Sequence, residues 1–187
     1  MKKTKLYLFG LLALTMTIAS CKKENPKPVE TPPPPVNEEE LITTFRITLT
    51  DPDGINPTVI ATFRDIDGPG GNAPELFDTI RLKPNAVYHA AIQFLNEAAN
   101  PAEDITEEIA EEAEDHLICF NISGVNTSIV RTDSDGTYEI GLASTWTTTA
   151  ASQGKVLITL RHQPGIKNGS CDVGDSDIEL DFVTIIE

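Results

Sequence analysis

The residue types best suited to chemistry in this sequence are an acidic run and two histidines. His116 follows a run of six acids, Glu107, Glu108, Glu111, Glu112, Glu114 and Asp115. On a helix, residues four apart lie on one face, so Glu108, Glu112 and His116 would line up. An imidazole and a carboxylate one turn apart can ligate one ion, and such ligands suit zinc and other transition metals. The spacing therefore predicts that Glu112 and His116 contribute to a divalent-metal site.

His162 is the second candidate ligand. It continues the alternating apolar face of Val156, Ile158 and Leu160, which places it at the rim of a core. If the loop after it meets the end of the acidic helix, His162 joins Glu112 and His116 at one metal. The alternative stays open: a solvated acidic face, a His116 that favours the negative end of the helix dipole, and a His162 that bonds only backbone.

In two other segments, alternating acids come just before a glycine, a pattern that is typical of turns and supplies oxygen ligands. They are Asp65-Ile66-Asp67-Gly68 and Asp133-Ser134-Asp135-Gly136. Alternating acids suit calcium, but the later ligands of a calcium loop are missing, so both are interpreted as turns. The sequence also has no nucleophile triad signature, phosphate loop or H-E-x-x-H motif. We expect that the protein is not an enzyme.

The N-terminal residues have the layout of an export signal. Three lysines precede an apolar run that is shorter than the roughly 17–25 residues needed to cross a bilayer, and Ala19-Ser20 then lead into Cys21. We interpret residues 1–20 as a signal peptide. Small residues before a cysteine resemble the lipobox of bacterial lipoproteins. That resemblance implies that Cys21 carries acyl chains such as palmitate and ties the protein to a membrane.

Residues 21–40 read as a tether and residues 41–187 as one domain. The tether is rich in proline and acids, which favours an extended spacer over a packed core. Short alternating segments in the domain predict an all-β fold, an antiparallel immunoglobulin-like β-sandwich. One short acidic helix, capped by Asp104 and reaching about His116, interrupts the strands. The formal net charge of −15 argues against a nucleic-acid partner.

Cys119 and Cys171 are the cysteines other than Cys21. Export would bring them into an oxidising compartment, where a disulfide between them is an open alternative to two free thiols.

Five segments of the chain look familiar when they are taken together. They are Asn37-Glu38-Glu39-Glu40, Asp65-Ile66-Asp67-Gly68, Asn96-Glu97, Ala102-Glu103-Asp104-Ile105-Thr106-Glu107-Glu108 and Ile158-Thr159-Leu160-Arg161-His162. Together they resemble small lipoproteins of the Bacteroidetes outer membrane. Some members are labelled as periplasmic-binding-fold proteins, a label that suits a longer α/β chain. The resemblance implies an outer-membrane location, on the periplasmic face or the cell surface, and a role beside a TonB-dependent receptor. The resemblance also implies that His116 and His162 correspond to histidines of that family.

Together these patterns predict a lipid-anchored, non-enzymatic binding or interaction module of the cell envelope, accessory to an outer-membrane receptor. The alternative is a lipoprotein that binds a divalent metal through the acidic helix and the two histidines.

Overall fold

The computed structural model describes residues 40–68 and 70–187. The assignments of a signal peptide, of lipidation at Cys21 and of a tether up to residue 39 lie outside the described residues.

The described part of the chain is built mostly from strands. In chain order the elements are β1 (Thr44–Thr50), β2 (Val59–Arg64), β3 (Leu76–Phe77), β4 (Ile80–Leu82), β5 (Val87–Asn96), β6 (Glu103–Asp104), α1 (Ile105–Glu111), a 3₁₀ turn (Ala113–Asp115), β7 (His116–Ser123), β8 (Thr127–Arg131), β9 (Ala143–Thr148), β10 (Ser152–His162) and β11 (Asp175–Ile186).

These strands form two packed sheets. The first has the order β3-β2-β1-β5-β9-β8, with β6 beside β5, and the second has the order β4-β11-β10-β7. Neighbouring strands are antiparallel except β4 and β11, which run parallel. The prediction of an all-β sandwich with one short acidic helix is confirmed.

The core lies between the sheets and is made by the alternating side chains of the strands. On β1, Phe45, Ile47 and Leu49 are fully buried. The Phe45 ring lies 5.4 Å from the ring of Phe94 in its own sheet and 5.4 Å from that of Phe182 in the opposite sheet. Apolar burial on one face of each strand is thus what holds the two sheets together.

The helix is shorter than the sequence pattern predicts. Asp104 does cap it, accepting a hydrogen bond from the Thr106 backbone N–H, but the helix ends at Glu111. A single 3₁₀ turn follows, and His116 is the first residue of β7. The prediction that His116 ends the helix was therefore wrong. Glutamates four apart repel each other, and no basic residue in the last turn offsets them, while pairing of His116 with β10 favours the strand.

Within residues 40–68 and 70–187, no helix combines the length and the apolar character needed to span a bilayer.

Candidate metal centre

The two histidines singled out in the sequence lie directly opposite each other on neighbouring strands. His116 at the start of β7 pairs with His162 at the end of β10. Their rings are stacked, with centroids 4.7 Å apart and planes 9° from parallel. His116 is completely buried and His162 is half-buried. The sandwich thus brings together two imidazoles that are far apart in the sequence.

A bulge in β11 supplies an acid beside them. Leu160 pairs with Ile178, but the next residue, Arg161, pairs with Ser176, so Asp177 is the extra residue of a β-bulge. Strict alternation from Ile178 would turn Asp177 away from the core. A bulge changes the direction of the side chain, as bulges beside functional sites often do. The Asp177 carboxylate therefore joins the histidines instead of pointing outward.

His116, His162 and Asp177 together form a three-residue cluster, here called the triad. One ligand atom from each lies within 4.8 Å of the other two. A tetrahedral ion with bonds of about 2.0–2.1 Å holds its ligand atoms roughly 3.3 Å apart. Each pair of ligand atoms is therefore at most about 1.5 Å farther apart than in such an ion's coordination shell. Two imidazoles and one carboxylate leave a fourth position open, a pattern typical of zinc sites that also take an outside ligand.

The hydrogen bonding of His116 prepares it to ligate. Its Nδ1 lies 3.0 Å from the backbone carbonyl oxygen of Glu112, which can only accept, so Nδ1 donates. Nε2 then carries the lone pair, and it is buried with no hydrogen-bond partner among the described residues. A backbone carbonyl that fixes the tautomer in this way is the usual support for a metal-bound histidine.

Burial also keeps His116 neutral. Desolvation is the main cause that lowers the pKa of His116 below its usual range, and the charge of His162 adds to it. The Glu112 carbonyl and the nearby acids act in the opposite direction with less effect. Since only the neutral imidazole binds a metal, this shift favours ligation at neutral pH.

Glu112 does not take the role that the sequence predicts. It is the residue that caps the end of α1, and it meets His116 through its backbone carbonyl. Its carboxylate is not one of the three clustered groups. The structure thus groups His116 and His162 with Asp177 and not with the Glu112 carboxylate, because the helix ends before His116 and the bulge brings in a different acid. The alternation of residues along β11 does not predict that Asp177 faces the histidines, because the bulge arises from the pairing of β11 with β10.

Other acidic side chains lie close to the triad. Glu40, the last residue of the predicted tether, is partly buried, and its pKa is raised to about 7. Burial is the largest cause, followed by the negative charges of Glu108 and Asp177. Carboxyls this close compete for protons, and a cation placed among them would relieve the repulsion.

In each of the two acidic turns, one aspartate accepts hydrogen bonds from nearby amides. The Asp67 carboxylate accepts hydrogen bonds from the backbone and side-chain amides of Asn72. Asp133 accepts from the backbone amides of Gly141 and Ala143. These bonds are those of acids that stabilise turns, in line with the interpretation from the sequence.

Cys119 of β7 and Cys171 of the loop between β10 and β11 are joined by a disulfide, with Cα atoms 6.0 Å apart. Arg131 donates a hydrogen bond to the Cys171 sulfur at 3.4 Å. The loop that connects His162 to Asp177 is thus tied to the strand that begins at His116.

Comparison with protein-family models, with curated proteins and with solved structures gives no match for this chain.

Proposed function

We propose that this protein is a lipid-anchored, non-enzymatic binding module of the cell envelope whose ligand is a divalent transition metal such as zinc. The observation that carries the proposal is His116, whose buried Nε2 has no hydrogen-bond partner among the described residues and whose ring clusters with His162 and Asp177. A buried polar atom without a partner costs free energy, and a metal bond compensates that cost.

The electrostatics around the triad support cation capture. The chain carries a net charge of −15, and the acids Glu40 and Glu108 lie at the border of the triad. A negative surface raises the local concentration of cations and speeds their association. Nitrogen ligands select zinc and similar metals over magnesium or calcium, which prefer oxygen.

The envelope location rests on the leader, the cysteine that follows it and the proline-rich spacer. A domain carried on such a spacer would hold its metal away from the lipid surface. The membrane is then a partner through the anchor, and an outer-membrane receptor remains the candidate to accept the metal.

Isothermal titration with zinc at pH 7 tests the proposal. The protein used is residues 21–187 with Cys21→Ser, stripped of metal. We expect binding at micromolar or tighter affinity with one zinc per chain. Each of His116→Ala, His162→Ala and Asp177→Asn should weaken zinc binding at least tenfold. The matched controls are Glu112→Gln, the ligand predicted from the sequence, and His89→Ala, an exposed histidine; both should bind like the unaltered protein.

Two results would contradict the metal proposal. One is an absence of zinc binding at neutral pH. The other is zinc binding that survives all three triad substitutions, which would place the ion elsewhere. Zinc affinity should also fall as the pH drops, because protons compete for the imidazoles.

A further inference from the structure

A cavity of about 560 Å³ lies at the open edge between the two sheets. One side is formed by the end of β2 and by β3, and the other by the first half of β11. Small-molecule sites usually have volumes of about 300–1,000 Å³. The cavity shares Asp177 with the triad but extends away from the histidines, so it has room for a ligand of its own.

The walls of the cavity are largely apolar. The apolar side chains are Leu41, Ile42, Phe63, Phe77, Ile178 and Leu180. The rings of Phe63 and Phe77 meet edge to face with centroids 5.2 Å apart, and Phe77 is 47% exposed. A half-exposed aromatic ring at a cavity wall offers a face to the apolar body of a ligand and attracts cations.

The polar groups of the cavity carry one sign of charge. Its acidic side chains are Glu40, Asp65, Asp177 and Glu179, and none of the described residues that line it is Lys, Arg or His. Carboxylates set in an apolar wall repel anions and attract cations, more strongly than in water because the dielectric is lower.

Asp65 is the most buried of the acids that line the cavity. The residue is only 8% exposed, and its Oδ1 has no hydrogen-bond partner among the described residues. Burial, followed by the neighbouring Asp67 carboxyl, raises the pKa of Asp65. A buried carboxylate is stable when a positive charge lies beside it, and the described residues that line the cavity include no basic side chain.

We infer that the cavity binds an organic cation, an amine with an apolar or aromatic body. The ammonium group lies at the Asp65 carboxylate, and the apolar body packs between Phe77 and the aliphatic wall of β11. This ligand is distinct from the metal of the triad, and its binding does not require the metal.

Three probes of one shape and different charge test this inference. Phenethylamine is the cation, 2-phenylethanol the neutral analogue and phenylacetate the anion. Each is titrated into residues 21–187 with Cys21→Ser at pH 7.5 with a chelator present, and followed by calorimetry and by amide NMR shifts. We expect saturable binding of the amine with shifts at Phe63, Phe77 and β11. The alcohol should bind at least tenfold more weakly, and the acid should not bind.

Substitutions separate the cavity from general attraction to an acidic protein. Asp65→Asn keeps the size of the side chain and should weaken amine binding at least tenfold. Phe77→Ala, at a half-exposed position, should weaken it severalfold. The control is Asp53→Asn, which removes one negative charge from the turn that follows β1 and does not line the cavity. It should leave the amine affinity unchanged.

Equal binding of the three probes would overturn the inference, because it would show an apolar pocket without charge selection. Amine binding that Asp65→Asn does not weaken would do the same. Cross-peaks between Val36 and Phe77 would also overturn it, since they would show that the segment before Glu40 fills the cavity. Each of these results leaves the zinc titration unaffected, so the two proposals fail separately.

Discussion

At the residue scale, the triad depends on what each side chain touches. Burial lowers the pKa of His116 and favours its neutral form, and the bond that Nδ1 donates to the Glu112 carbonyl fixes its tautomer. Asp177 lies beside the histidines because it is the extra residue of a bulge. For Glu40, as for His116, burial disfavours the charged form. Neighbouring carboxylates add to this effect at Glu40. Its ionisation therefore works against the folded state.

The raised pKa of Glu40 predicts an unusual dependence of stability on pH. The pKa is about 7 in the folded protein against an ordinary 4.5, so the folded state holds this proton more tightly than the unfolded state. The resulting stabilisation is complete below about pH 4.5 and is lost as the pH rises through about 7. Thermal denaturation of metal-free protein at pH 5 and pH 8 should show a larger fall in Tm for the unaltered protein than for Glu40→Gln.

The control for this comparison is Glu107→Gln, a substitution at an exposed acid of the same helix as Glu108. Its Tm should fall between pH 5 and pH 8 as much as that of the unaltered protein. If Glu40→Gln also shows the same fall, Glu40 is not the group responsible.

At the scale of elements, the loop between β10 and β11 decides where His162 and Asp177 lie. The Gln163 side chain donates to the carbonyls of Ser170 and Val173 and closes the loop on itself. Lys167 is 3% exposed and donates to the Ala113 carbonyl and to Asp135, each at 2.7 Å. These bonds and the disulfide fasten the loop to the 3₁₀ turn and to β7, and so they hold the triad in place.

We predict that loss of the disulfide lowers both stability and zinc affinity. It closes a loop with a sequence separation of 52, and disulfides of this kind contribute about 2–4 kcal/mol to the free energy of unfolding. Urea denaturation of Cys119→Ala/Cys171→Ala should show a loss in that range. Zinc binding should weaken as well, because the loop joins two of the three ligands.

The unaltered protein under reducing conditions serves as the second measurement, since it has no substituted side chain. It should match the double variant in both stability and zinc affinity. Stability that is the same with and without reductant would show that the crosslink contributes nothing to the fold.

At the scale of the whole molecule, an acidic sandwich is joined to a segment with the features of an export signal. The formal net charge of the full chain, −15, disfavours contact with nucleic acid and with anionic lipid surfaces. Attachment to a membrane would therefore depend on acyl chains at Cys21 and not on the surface of the domain. Two or more chains are needed for firm attachment, because one chain binds only marginally.

Lipidation is expected at Cys21 and not at the other cysteines. Cells that express the full chain and are fed an alkyne fatty acid should label the unaltered protein and should not label Cys21→Ser. Cys119→Ser is the matched control, because it also removes one cysteine and should keep the label. Equal labelling of all three proteins would contradict the anchor.

The sequence predicted those features that depend on local pattern. Alternation on β10 placed Val156, Ile158 and Leu160 in the core and correctly put His162 at the end of the same face. The capping residue Asp104 was also found from the pattern. The length of α1 and the identity of the third clustered residue depend on which strands pair and in which register. A local sequence pattern does not show which strands become neighbours. Glu112 was chosen for its spacing on a helix that ends too early, and Asp177 was missed because a bulge reverses its direction.

The order of the strands determines when the triad can exist during synthesis and transport. His116 begins β7 and His162 ends β10, while Asp177 lies on β11, the last of the described strands and a central strand of its sheet. A chain that crosses a membrane with its N-terminus first delivers β11 after every other described element. On that route the three ligands assemble only after translocation, so the metal would have to be drawn from the destination compartment and could not be carried out of the cytoplasm already bound.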